Sequence, residues 1–164
     1  MKKIGILMGS FNDLDKVKPA IDLLKELGIP FEAHSFSAHR SPAQAAGFAR
    51  EARQNGFGAI VCAAGMAAHL AGAVAAQTTL PVIGVPVSAK HMDGLDALLS
   101  TVQMPPGMPV ATVAVDGAYN AALLAAQIIA VEHARLADKL AAMRAKMTQG
   151  VLDKDAQLQA MLNA

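Results

Sequence analysis

The sequence predicts an α/β fold built on a parallel sheet, and three observations predict it. Apolar runs of β character begin near Lys3, Phe31, Ala59, Pro81 and Val110, at intervals of 22 to 29 residues. Segments with helical apolar spacing lie between them, which is the rhythm of βαβ units. Glycines and prolines stand at the junctions, where one element must stop before the next begins.

The first strand lies within Met1–Ser10. The first helix is expected from Asp15 to Leu27, with Val17, Ile21, Leu24 and Leu27 as its inner stripe and Lys16, Asp22 and Lys25 facing water. Gly28 and Pro30 end it. The second strand starts near Phe31. The second helix runs from Pro42 to about Gln54 and stops at Gly56, with Ser41 suited to the N-cap and Pro42 to the first helical position. The third strand carries Ala59–Ala64, and an alanine-rich helix covers roughly Ala67 to Gln77. Pro81–Pro86 reads as a buried strand bounded by prolines. The loop Val87–Met92 leads to a helix starting near Asp93. Met104–Pro109 must be irregular, because three of its six residues are proline. Val110–Val115 is the fifth strand. A long helix is expected from about Tyr119 to Lys146, broken at Gly150, with a short tail helix following through Leu162. Residues 1–164 are thus expected to form one α/β domain, with residues from about 147 forming a tail helix that packs on a neighbouring subunit; the plain alternative is a frayed terminus.

Composition narrows the function classes. The chain of 164 residues is 54% hydrophobic and 16% charged, which argues against disorder. A net charge of +1 leaves no electrostatic footprint for nucleic acid, and five Phe, one Tyr and no Trp supply no base-stacking platform. No run reaches the roughly 18 apolar residues that a membrane helix needs. The apolar stretch at the N-terminus is short and leads into Phe11-Asn12-Asp13, so it reads as a strand of a cytoplasmic protein rather than a signal peptide. The single cysteine, Cys62, lies in an apolar run and reads as a buried small hydrophobe. His34, His91 and His133 have no ligand-like spacing with Cys, Asp or Glu, so no metal site is expected. The nine methionines read as core and interface filler. Abundant alanine with little charge leaves apolar surface over, which points to a homo-oligomer.

Three strand ends carry chemistry. In Met8-Gly9-Ser10-Phe11-Asn12-Asp13, Gly9 allows a tight turn, Ser10 offers a hydroxyl, and Asp13 can accept hydrogen bonds from sugar hydroxyls. The plain alternative is a loop with Asn12 or Asp13 as N-cap. In Ser37-Ala38-His39-Arg40-Ser41-Pro42, an imidazole able to carry a proton near neutral pH stands beside an anion-gripping guanidinium. The plain alternative is a solvated turn. In Ala63–Gly72, small residues let the backbone approach a ligand, and His69 falls in the first turn of a helix. The plain alternative there is tight packing. Neither a Walker A loop nor a dinucleotide fingerprint is present. In a parallel sheet all three ends share the carboxyl edge, where open α/β sheets hold ligands. Together they suit a phosphorylated sugar-like ligand and proton transfer.

The combination resembles a known family. Met8-Gly9-Ser10 with Asp13, Ser37–Pro42, and Gly65 with Ala67-Ala68-His69-Leu70 are similar to the N5-carboxyaminoimidazole ribonucleotide mutases, the catalytic-subunit type of phosphoribosylaminoimidazole carboxylase. Pro81–Val87, Gly94–Ser100, Val102–Pro105 and Asn120–Ile128 extend the likeness over nearly the whole chain. The resemblance implies a flavodoxin-like, three-layer αβα fold, an octamer, and no metal or organic cofactor. It implies an isomerase of purine biosynthesis that moves a carboxylate from the exocyclic nitrogen of a small ribonucleotide to C4. His39 would be the catalytic acid and base. Ser10, Asp13, Ser37, Arg40, Gly65 and His69 would bind the substrate, Ser10 and Arg40 chiefly at its phosphate. Gly65 and His69 would shape the space that confines CO2. Arg40, rather than lysine, resembles the mutase class instead of the carboxylases that use free CO2. Departures from the family pattern fall at Phe11, Asn12, Met66, Ala71 and within Val115–Asn120. A free-CO2 carboxylase and a non-catalytic nucleotide-binding paralogue stay open as alternatives.

Overall fold

The structure, a computed structural model, describes residues 1–163. Five parallel strands form one sheet in the order β2-β1-β3-β4-β5, with β1 Lys3–Met8, β2 Phe31–Ser35, β3 Phe57–Gly65, β4 Val82–Val87 and β5 Ala111–Thr112. The helices are α1 Leu14–Leu27, α2 Pro42–Ala52, α3 Leu70–Ala75, α4 Leu95–Val102, α5 Ala118–Ala130 and α6 Ala134–Leu162, and a 3-10 turn over Phe11–Asp13 precedes α1.

The strands in the middle of the sheet are apolar throughout because both of their faces are covered. Ile4, Ile6, Ala59, Val61, Ala63, Ile83 and Val85 turn to one side and meet α1, α5 and the start of α6. Leu7, Ile60, Cys62 and Val82 turn to the other and meet α2 and α3. Period-two alternation within each strand thus builds two cores, one on each side of the sheet. The expected three-layer αβα architecture is what forms. On the second side α4 comes close to β4 because Gly84 has no side chain. A Cβ there would lie 2.4 Å from the Thr101 methyl group.

Local signals end α1 where expected. Gly28 takes the left-handed conformation, φ 71°, and its N–H reaches the carbonyls of Leu24 and Lys25. The Lys139 ammonium adds a hydrogen bond to the Leu27 carbonyl at 2.8 Å, tying α6 to the end of α1.

Four expectations need correction. The fifth strand pairs only at Ala111 and Thr112, not from Val110 to Val115. Beyond Val113 the chain turns through Ala114–Gly117 and delivers the Asp116 N–H to the Pro86 carbonyl, so no further ladder forms. The third helix is Leu70–Ala75 rather than Ala67–Gln77, because Ala67 to His69 are held in a loop by Ser100 of α4, whose hydroxyl accepts the Ala68 N–H. The long C-terminal helix is interrupted at Val131–His133 and not at Gly150. The chain reverses there so that Leu136 and Leu140 can bury against the first core. Each such side chain stabilises the packed arrangement by about 1.5–3 kcal/mol, which outweighs uninterrupted helix. Gly150 lies inside α6, so the tail is the end of one helix and not a separate one. An isolated glycine costs only about 1 kcal/mol against alanine, too little to stop a helix of good formers. Finally, Ser41 is the N-cap residue and Pro42 opens α2 as expected, but the Ser41 hydroxyl makes no cap hydrogen bond and turns back to Ser37 instead.

Candidate functional site

The sheet order reverses direction between β1 and β3, since β2 lies outside β1 and all later strands follow β3. Loops leaving such neighbours diverge to opposite faces and open a crevice at their carboxyl ends. A cavity of about 560 Å³ lies there. Four loops line it: β1 to α1, β2 to α2, β3 to α3 and β4 to α4. All seven residues singled out from the sequence, Ser10, Asp13, Ser37, His39, Arg40, Gly65 and His69, contribute to its walls.

Each is placed by local hydrogen bonds. Gly9 donates its N–H to the Ala63 carbonyl at 2.9 Å, which joins the first and third loops. The Ser10 hydroxyl oxygen accepts the Asn12 N–H at 3.2 Å and caps the 3-10 turn. Asp13 occupies the cap position of α1 without using its side chain for a cap, so its carboxylate stays available to the cavity. Burial pushes the Asp13 carboxyl above its ordinary value. A backbone hydrogen bond from Ser10 and the Arg40 charge oppose that shift, and the Asp116 charge adds to it.

The second loop is organised by its two serines. The Ser37 oxygen accepts the N–H groups of His39 and Arg40 at 3.3 and 3.2 Å, while the Ser37 N–H donates to the Ser41 hydroxyl at 2.8 Å. This folds the loop into a tight turn that presents His39 and Arg40 together. Arg40 donates from Nη2 to the Gly9 carbonyl at 3.3 Å, which leaves the other guanidinium N–H groups for an anion.

His39 and His69 meet across the cavity. Nε2 of His39 and Nδ1 of His69 are 2.8 Å apart, with the rings near perpendicular. One hydrogen lies between the two nitrogens, so one ring donates and the other accepts. A proton can therefore pass between them without either ring moving far. Gly65 brings the third loop close to the fourth: a Cβ on it would stand 3.0 Å from the Val87 carbonyl oxygen. Met66 follows with φ 55°, a left-handed backbone that costs a residue with a side chain about 1 kcal/mol or more. Its side chain is 61% exposed at the mouth of the cavity.

The AIR carboxylase family profile matches residues 3–150 of the chain. The chain belongs to that family. Among relatives, it is 49% identical over 152 residues to the N5-carboxyaminoimidazole ribonucleotide mutase of Saccharolobus solfataricus, covering 93% of this chain and 96% of that one. It is 50% identical over 157 residues to the N5-carboxyaminoimidazole ribonucleotide mutase of Bacillus subtilis, covering 94% and 97%. The crystal structure of Treponema denticola PurE superposes with a TM-score of 0.87 at 27% identity, covering 95% of this chain and 98% of that one.

Of the four walls of the cavity, sequence reasoning missed the fourth. Val87, Ser88 and Ala89 line the cavity, yet their sequence shows only a connection. The available signal was its position, the carboxyl end of a strand two places along the same edge. Asp116 was missed as well, and only the fold brings it to Ser88. Cys62 is buried and burial pushes its thiol up, which suits a core residue and not a nucleophile.

Proposed function

We propose that the chain is an N5-carboxyaminoimidazole ribonucleotide mutase of purine biosynthesis, an isomerase that moves a carboxylate from the exocyclic nitrogen to C4. The observation that carries this reading is one cavity, at the switch point of the sheet, in which His39, His69, Arg40 and Asp13 converge. The identity of 45–50% to curated mutases supports the mutase over a carboxylase that takes free CO2.

In this reading Arg40 and Ser10 hold the phosphate, Asp13 accepts from the ribose, and Ser37 sets the loop. His39 delivers a proton to the carbamate nitrogen. The N–C bond breaks with its electrons left on nitrogen, and CO2 is released inside the cavity. C4 then attacks CO2, forming the new C–C bond, and His39 takes the C4 proton. His69 gives His39 a second place to put a proton between these steps. Alanines 38, 64 and 67 and Leu70 supply an apolar wall that keeps CO2 near C4. Confinement replaces a bimolecular recapture by a nearly unimolecular one.

We extend the proposal to a homo-octamer working in the cytoplasm, with residues from about 147 lying on a neighbouring subunit of a single-domain chain. What supports assembly is apolar surface. Leu95, Leu99 and Val102 of α4 are 52%, 50% and 46% exposed along one face, and every described residue from 144 onward is exposed.

Purified protein should convert the N-carboxylated ribonucleotide to the C4-carboxylated one without ATP and without dependence on added bicarbonate. His39→Asn should lower turnover by about 10²–10⁴-fold while circular dichroism stays that of the parent. Turnover that requires bicarbonate and ignores the N-carboxylated substrate would instead assign a free-CO2 carboxylase. Ligand binding without turnover would assign a non-catalytic paralogue.

A further inference from the structure

Asp116 sits outside the lining of the cavity, but its side chain reaches into the framework that supports it. One oxygen accepts the Ser88 N–H at 2.9 Å. The other accepts the Ser88 hydroxyl at 2.6 Å and the Lys16 ammonium at 2.6 Å. Lys16 also donates to the Ser88 hydroxyl oxygen at 3.1 Å, so the three groups close a ring of hydrogen bonds. The Asp116 N–H bonds the Pro86 carbonyl at 2.8 Å. Three chain segments that are distant in sequence are thus joined at one carboxylate: the first turn of α1, the start of the β4–α4 loop, and the turn after β5.

The backbone at Asp116 is left-handed, φ 57°, a conformation aspartate tolerates better than most residues but still at a cost. The strain is held for a carboxylate aimed at Ser88. The Ser88 hydroxyl has its hydrogen committed to Asp116, so it is fixed as a piece of wall and not as a free donor to ligand. Next to it, the Val87 carbonyl is the surface on which Gly65 packs, and Gly65 leads to His69.

We propose that Asp116 is a positioning residue: by clamping Ser88 and Lys16 it fixes the β4–α4 wall, and through Val87 it fixes the Gly65–His69 loop against which His39 works. Lys16, three residues beyond Asp13, ties the Asp13 side of the cavity to the same clamp. The kinetic part of this inference rests on the mutase reading; the structural part does not.

Two substitutions test it. Asp116→Gly suits the left-handed backbone and keeps the bond to Pro86, so it deletes the clamp without forcing the turn. Asp116→Asn keeps the shape and can still accept from Ser88. With wild-type turnover measured first, Asp116→Gly should lose kcat by about tenfold or more, the scale expected when reacting groups are misplaced. The dissociation constant for the C4-carboxylated product should stay near that of the parent, while the thermal midpoint at neutral pH should fall by about 2–4 °C as the hydrogen bonds of the clamp are lost. Asp116→Asn should recover most of the lost kcat. Wild-type kcat in Asp116→Gly, a loss of kcat that comes with loss of product binding or of the native circular dichroism spectrum at the assay temperature, or an Asn variant as slow as the Gly variant would each overturn the proposal. A crystal structure of Asp116→Gly is the arm independent of turnover. Displacement of Ser88 and of the Gly65–His69 loop is expected, and an unmoved wall overturns the inference even if the wild type has no mutase activity. Absence of turnover in the wild type overturns the mutase reading alone.

Discussion

Asp13 shows how a residue proposed to bind substrate can work against the stability of the chain that carries it. Its carboxyl is raised by burial, with the backbone of Ser10 and the Arg40 charge only partly compensating. A raised carboxyl in the folded state means that ionisation is less favourable there than in the unfolded chain. Folding is therefore penalised as pH rises from about 3.9, the ordinary value for aspartate, through the higher folded value. Asp13→Asn removes this penalty. We expect its thermal midpoint at neutral pH to exceed that of the parent, with the difference vanishing in acid where both side chains are neutral. Ribonucleotide affinity, measured by calorimetry, should fall about tenfold to a hundredfold, because hydrogen bonds to a charged group are worth about 1.5–3 kcal/mol. Asp116 behaves in the opposite sense. Burial raises its carboxyl, but hydrogen bonds from Lys16 and from the Ser88 hydroxyl and N–H, with the Lys16 charge, outweigh burial and hold it below the usual range. Its contribution is present above the ordinary aspartate value and is lost as pH falls through its lowered folded value.

At the scale of elements, two glycines with opposite roles separate local from global control. Gly28 ends α1 in a left-handed conformation, whereas Gly150 lies within α6 with nothing within 4 Å of where a Cβ would be. Gly28→Ala should therefore destabilise by about 1 kcal/mol, lowering the midpoint by about 2–4 °C, and Gly150→Ala should increase helicity and stability by about 0.5–1 kcal/mol. Circular dichroism melts of the two variants check both signs. The end of α1 was legible in the sequence because Gly28 and Pro30 act on their own neighbours. The interruption at Val131–His133 was not, because it exists to place Leu136 and Leu140 on a core contributed by other elements. The brevity of β5 was equally hidden, since it depends on where Asp116 is drawn by Ser88. The candidate site divides along the same line. Ser10, Asp13, Ser37, His39, Arg40, Gly65 and His69 stand in local turn patterns at strand ends, and the sequence displayed them. Ser88 and Asp116 are joined across 28 residues by the register of the sheet, and no local pattern announces that contact.

At the scale of the molecule, the fold leaves two surfaces that a lone chain has no reason to keep apolar. One is the outer face of α4, next to the β3–α3 loop that Ser100 holds. The other is the end of α6, where Met147, Val151, Leu152, Leu158, Met161 and Leu162 are exposed. Leu136 and Leu140 anchor the beginning of α6, so a chain ending at Met143 retains that core. Such a truncated chain should fold, but by light scattering it should form smaller assemblies than the full-length protein. An unchanged assembly size would show that the tail does not hold subunits together.

The placement of the cavity between β1 and β3 also has a consequence in time. Residues 3–8 find one strand neighbour in residues 31–35, but their partner on the cavity side is residues 57–65. During synthesis, the first strand leaves the ribosome long before the segment that completes the far side of the cavity. Until then the loop bearing Ser10 and Asp13 has only one bank, and His39 has no His69 to face. Every nascent chain thus passes through a stage in which half of the chemistry is already polymerised and none of it is assembled.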